Sequence, residues 1–248
     1  MRRRVLRRYL RACADMLLPR CCVVCGRQLL LDERSLCLQC LADMPLTYYW
    51  LRTHNPMADK FNALIQSGMD LEWKRERYAY ACALFFYDSH GTYSHITQGI
   101  KYRGDLATGR LLGRMLGNRM ALGEHWRDVS MVIPVPLHWR RRWERGYNQA
   151  EIIASEVALR LGTSLREDVL ERTKYTRTQT KLNVGQKVEN VEMAFRARGL
   201  EGMTEGHVLL VDDVFTTGAT LHACYRALRT ALPVSVRISV ATLGFVGR

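Results

Sequence analysis

No apolar run in this 248-residue chain is long enough to cross a bilayer; charge or proline interrupts the nearest candidates. The basic opening RRRVLRRYLRACADMLLP lacks the unbroken apolar segment and small-residue cleavage site of a secretory signal, so the expected compartment is the cytoplasm. Two common phosphate-binding fingerprints are also missing. Without a GxxxxGK[ST] run or a GxGxxG, neither a Walker A loop nor a Rossmann dinucleotide site is indicated. There is no RNP pair, no C₂H₂ finger, no internal repeat and no low-complexity tail. Acidic side chains are scarce, 24 against 37 basic ones, and the resulting formal charge of +13 favours polyanionic partners without selecting one.

The most informative stretch is VLLVDDVFTTGAT, residues 208–220. Val208 to Val211 form an apolar run of the kind buried on both faces of a parallel sheet, and 208–212 reads as a strand. A helix is expected over 218–230. The turn between them lies at a strand's carboxyl end, where open α/β sheets bind ligands. Thr216, Thr217, Gly218, Ala219 and Thr220 would present amides and hydroxyls at the helix N-terminus, an anion site, with Gly218 giving the phosphate close access to the backbone. Asp212 and Asp213 would repel that phosphate unless a sugar diol donates to them or Mg²⁺ lies between. A plain acidic strand end followed by a Thr-rich cap is the simpler reading, but a cap needs one such residue, not a series.

Cys22-Val-Val-Cys25 and Cys37-Leu-Gln-Cys40 form two CxxC knuckles eleven residues apart, a spacing suited to a structural tetrahedral Zn²⁺. Cys21 makes the first register ambiguous; the two-residue spacing and Gly26 favour Cys22. Iron–sulfur ligation and dithiol redox chemistry use the same residue types. Removing the four thiolates is expected to destabilise this module, by removing metal-coupled folding, without first removing a ribose phosphate pocket. Cys13, Cys82 and Cys224 read as core packing.

The motif VDDVFTTGAT resembles the phosphoribosyl diphosphate (PRPP) motif of type I phosphoribosyltransferases. Together with CCVVCG at 21–26, IKYRGD at 100–105 and IPVPLHWRRRWERGYNQA at 133–150, it resembles the ComF/GntX family, associated with competence for DNA uptake and with gluconate utilisation. The resemblance implies that Asp212 and Asp213 contact ribose hydroxyls, that 216–220 hold the 5′-phosphate, and that the arginine-rich segment takes the place of the pyrophosphate loop. It also points to Gln179 and Asn190. The implied reaction moves phosphoribosyl from Mg²⁺–PRPP to a nitrogenous acceptor with release of pyrophosphate. The rival is a noncatalytic module of the same fold that binds a phosphoribosyl ligand, single-stranded DNA or a DNA-uptake protein.

The expected fold is α/β: a type I phosphoribosyltransferase-like parallel sheet flanked by helices, with a small N-terminal Cys₄ zinc module. Residues 1–45 are assigned to a basic helix and the knuckles, 46–78 to a connection, and 79–248 to the main domain, with strands near 79–90, 131–136 and 234–244 and helices over 94–120 and 147–161. The basic helix suits an anionic surface or docking on its own domain. Arg140, Arg141, Arg142 and Arg145 would present guanidinium groups to phosphates ahead of a helix, with Asn148 and Gln149 orienting substrate. A solvated basic helix is the alternative for them and surface charge the alternative for Lys101 and Arg103, and Trp139 and Trp143 suit either base stacking or helix packing. His138 reads as positional. The polar segment 170–196 is a candidate hood, with Lys174, Arg177, Gln179, Lys181 and Asn190 as its polar candidates.

Overall fold

The computed structural model describes residues 15, 18–67, 76–173 and 194–247. Most of the basic N-terminal helix expected from the sequence, and the hood candidates from Lys174 to Asn190, lie outside the described residues. Five strands form one all-parallel sheet in the order β1-β7-β6-β2-β3: β1 (Ala81–Phe86), β7 (Val236–Phe245), β6 (Gly206–Phe215), β2 (Val129–Pro134) and β3 (Ser164–Leu165). Between them in sequence, β4 (Leu170–Arg172) and β5 (Phe195–Ala197) pair as a separate antiparallel ribbon.

The central position of β6 follows from its composition. Val208, Leu209, Leu210 and Val211 are all fully buried, which only a strand covered on both faces permits. Helices flank the sheet in two packed pairs. Helix α4 (Leu106–Met120) lies against α6 (Gln149–Leu161), while α2 (Pro56–Ser67) lies against α7 (Ala219–Arg229). Gly113 and Gly117 let α4 approach closely: a Cβ at Gly113 would come within 3.0 Å of the Ile153 carbonyl oxygen. The helical stretch expected over 94–120 is two helices, α3 (Ser94–Tyr102) and α4. They are separated at Gly104, whose φ of +66° reverses the chain, and Asp105 caps α4 through the Thr108 amide.

Residues 46–78 contain more order than a connection: Phe61 and Met57 on α2 are fully buried, and Leu46 bridges to Phe85 of β1. At the amino-terminal end of the sheet, His207 is buried between Asp128, 2.7 Å from Nδ1, and Ser239, 2.7 Å from Nε2. Burial holds its pKa below the ordinary histidine range against the opposing pull of Asp128. No helix among the described residues is long and apolar enough to cross a membrane.

Candidate functional site

Strand β6 does not stop at Asp212, as expected, but runs through both aspartates to Phe215. The extension is held from one side, with Asp212, Val214 and Phe215 facing Thr242, Gly244 and Phe245 of β7. Pairing with β2 ends at Val211, opposite Pro134, where the Val135 amide donates to the Val211 carbonyl at 2.9 Å. Strand alternation then sends Asp212 and Asp213 to opposite faces of the sheet. Asp213 is buried and meets Lys101 at the end of α3, Nζ to Oδ2 2.6 Å. The Asp212 carboxylate accepts the Asp213 amide at 2.8 Å.

The turn into α7 is built as expected, with one correction. Thr216 and Thr217 are exposed, and Thr217 Oγ1 accepts the Ala219 amide at 3.3 Å. Gly218 has φ +83° and, as N-cap, supplies no side-chain acceptor to α7. Its missing Cβ does not face a ligand. A Cβ would sit 2.6 Å from the Phe215 ring and 2.7 Å from Leu64, so the glycine is required by packing and by its left-handed backbone. Lys60, from the segment read as a connection, donates to the Thr216 carbonyl at 2.9 Å. The exposed amide end of α7 remains suited to an anion.

The four arginines precede α6, as expected, and are themselves on a helix. Helix α5 (Trp139–Arg145) is capped by His138, which accepts the Arg140 amide at 3.3 Å, and it ends at Gly146 with φ +77°. No α5 residue is buried. Arg142 is tied to Glu151 at 2.5 Å, and Arg140 lies over the exposed Trp139 ring. Arg145 donates to Gln149 at 3.1 Å and stacks on Tyr102 of α3. Arg141, Glu144 and Arg145 face Lys101, Tyr102, Gly104 and Tyr147 across a cleft of about 610 Å³. Asn148 caps α6 by accepting the Ala150 amide and donates to the Val135 carbonyl at 3.0 Å, so both polar ends of its side chain serve the chain itself.

Electrostatics set the two aspartates apart. Burial first, and the neighbouring Asp213 second, push the Asp212 carboxyl up to about 8. Burial opposes the charge on Lys101, but Asp213 and Asp212 outweigh it and hold its pKa above the usual lysine value. Arg172, at the end of β4, was not singled out from the sequence. Burial and Arg141 lower its pKa, while Asp212 is near enough to raise it. Nothing in the local pattern LERT marks that placement, which depends on the ribbon folding back. Burial and three arginines keep His138 below its usual pKa, consistent with its neutral acceptor role.

The Sγ atoms of Cys22, Cys25, Cys37 and Cys40 all lie within 4.8 Å of one another. Cys21 is exposed and stands apart near the Pro19 carbonyl, which settles the register. The Cys37 amide donates to Cys22 Sγ and the Cys40 amide to Cys37 Sγ, each at 3.4 Å, as thiolate ligands require. The first pair sits on a tight turn and the second on α1 (Leu38–Ala42), which Cys37 caps; four soft donors so placed fit a structural zinc ion. Cys82 and Cys224 are buried in the core.

An all-parallel sheet whose central strand carries two aspartates into a threonine-rich helix start defines a phosphoribosyltransferase-like fold, and a model of the phosphoribosyl transferase domain matches residues 147–243. The relatives are more particular. Competence protein F of Haemophilus influenzae is 31% identical over 140 residues, 55% of this chain and 61% of that protein. DNA utilization protein YhgH of Salmonella typhimurium is 36% identical over 112 residues, 45% and 47% of the two chains. Competence protein ComFC of Bacillus subtilis is 31% identical over 107 residues, 40% and 38%. The alignments therefore span about two fifths to three fifths of these relatives' length.

Proposed function

We propose that this chain binds a phosphoribosyl ligand, with the phosphoribosyltransferase fold serving as a binding module in the handling of incoming DNA or its breakdown products. The observation that carries the reading is the continuity of Asp212 and Asp213 on β6 with the α7 N-terminus, while Lys101 stands against Asp213. In this arrangement the 5′-phosphate takes the amides and hydroxyls of Thr216 to Thr220. The sugar hydroxyls donate to the aspartates, and a second phosphate group enters the cleft beside Lys101, Arg141 and Arg145. Arg140 and Gln149, candidates from the sequence, flank that cleft as structural neighbours of Trp139 and Arg145. Ionised carboxylates at this strand end would also suit Mg²⁺, which when bound would supply charge neutralisation between an aspartate and phosphate oxygens. The competence and DNA-utilization relatives support the biological setting.

A second reading adds turnover: transfer of phosphoribosyl to a nitrogenous acceptor with loss of pyrophosphate. It uses the same residues and needs, in addition, an acceptor site. The decisive experiment is calorimetric titration of the full chain with PRPP, with and without Mg²⁺, beside the Asp212→Asn/Asp213→Asn double variant. Saturable wild-type binding weakened at least tenfold in the variant is the expected result, and a pyrophosphate-release screen with nitrogenous bases then separates binding from turnover. Folded, metal-loaded protein with no PRPP affinity would turn the reading toward DNA or a protein partner.

A further inference from the structure

We propose that the cysteine module is a positioning element for the ligand site, acting through α3 on Lys101. This inference rests on the phosphoribosyl reading for its ligand, but its structural half stands alone. Three contacts join the module to the start and middle of α3. Tyr93, just ahead of the helix, donates its hydroxyl to the Cys40 carbonyl at 2.9 Å. His95 Nδ1 lies 3.4 Å from the Val24 carbonyl, between the first pair of cysteines. At Gly99 a Cβ would already stand 3.4 Å from Val23 Cγ2, so the knuckle rests on the helix surface at that point.

The same helix delivers the site. Gly99 is also where α3 begins to end: its carbonyl accepts the Arg103 amide at 3.0 Å and the Asp105 amide at 3.2 Å. Between those two uses of Gly99 sit Ile100, whose carbonyl accepts the Tyr147 hydroxyl, Lys101 on Asp213, and Tyr102 under Arg145. From Tyr93 to Lys101 is eight residues, roughly 12 Å of helix. A nine-residue helix has little stability of its own, so its placement comes from what packs on it. Ile96 and Ile100 anchor it to the core, while the module bears on its Tyr93, His95 and Gly99 positions. Folding of the Cys₄ module is coupled to its metal. Loss of the metal therefore releases one support of Lys101, so the proposal predicts a weakened ligand site where the sequence suggests that the pocket is not lost first. Lys101 is a positioning residue for Asp213 here, and Val23, Val24 and Cys40 act through it.

The test uses the full chain in five forms: zinc-loaded wild type, chelator-stripped wild type, Gly99→Leu, Tyr93→Phe and, as the mild control, Gly99→Ala. Zinc content, amide hydrogen exchange and Mg²⁺–PRPP affinity are measured on each. Gly99→Leu is expected to retain one zinc per chain, to exchange about tenfold faster over residues 96–105 with α6 unchanged, and to bind PRPP about fivefold or more weakly. Tyr93→Phe should move the same way by less, and the stripped protein by more. Wild-type exchange over 96–105 in both the stripped protein and Gly99→Leu would overturn the proposal. If stripping also exposes α6, the protein has unfolded globally and the two cysteine-intact variants decide. If the wild type binds no PRPP, the ligand reading fails, and exchange alone decides the coupling.

Discussion

Asp212 is held where two costs add. Its carboxyl is buried and stands beside a second carboxylate, which pushes its pKa up to about 8, whereas an unfolded aspartate titrates near 4. Between those values the native state keeps a proton that the unfolded chain has lost. Stability therefore falls as pH rises from about 4 to about 8 and then levels off. Asp212→Asn should flatten this slope and leave the variant more stable than wild type at pH 8 and above, while weakening PRPP binding. Unfolding midpoints in denaturant from pH 5 to 9 check the first half. A wild-type slope retained in the variant would show that another group titrates. The residue is thus costly in the free protein, and under the proposed function a sugar hydroxyl or cation would offset that cost.

At the level of elements, the β6–α7 corner depends on Gly218. A Cβ there meets Phe215 and Leu64 at under 3 Å and a backbone φ of +83°, so Gly218→Ala should cost about 2–4 kcal/mol, measured as a lowered denaturant midpoint with an unchanged m-value. This corner was legible in the sequence because a run of four apolar residues and a Gly-containing helix start are local signals. The two CxxC knuckles were legible for the same reason, since ligand spacing within a tight turn is local chemistry. Contacts across the chain were not. Lys101 read as a phosphate ligand or a surface charge because nothing near IKYRGD reveals that Asp213 will stand 2.6 Å away. Lys60 and Arg172 escaped notice because their neighbours in space come from β6, α7 and α5. Helix α5 was legible only as the alternative of a solvated basic helix, because it buries no residue and so lacks the apolar periodicity that marks other helices. Asn148 was read as a substrate contact because capping and ligand binding recruit the same side chain.

Across the whole molecule, a charge of +13 and the adjacent aspartates of β6 make separable predictions. The excess of lysine and arginine attracts any polyanion, and counterions released on contact make that attraction steeply salt-dependent. Association with a single-stranded oligonucleotide, where it occurs, should weaken at least tenfold between about 50 and about 200 mM salt and be indifferent to Asp212→Asn/Asp213→Asn. The aspartate pocket should show the reverse dependence: PRPP affinity lowered at least tenfold in the double variant and changed less steeply by the same salt step, because the proposed recognition includes hydroxyl and amide contacts that salt does not screen. Fluorescence anisotropy of a labelled oligonucleotide and calorimetry with PRPP, run on the same two proteins at the same two salt concentrations, measure both. Oligonucleotide binding lost along with the aspartates would mean that the nucleic acid enters the sugar-phosphate pocket itself. The exposed Trp139 and Trp143 would then be bystanders, and the pocket would read the terminal phosphoribosyl unit of a strand rather than a free metabolite.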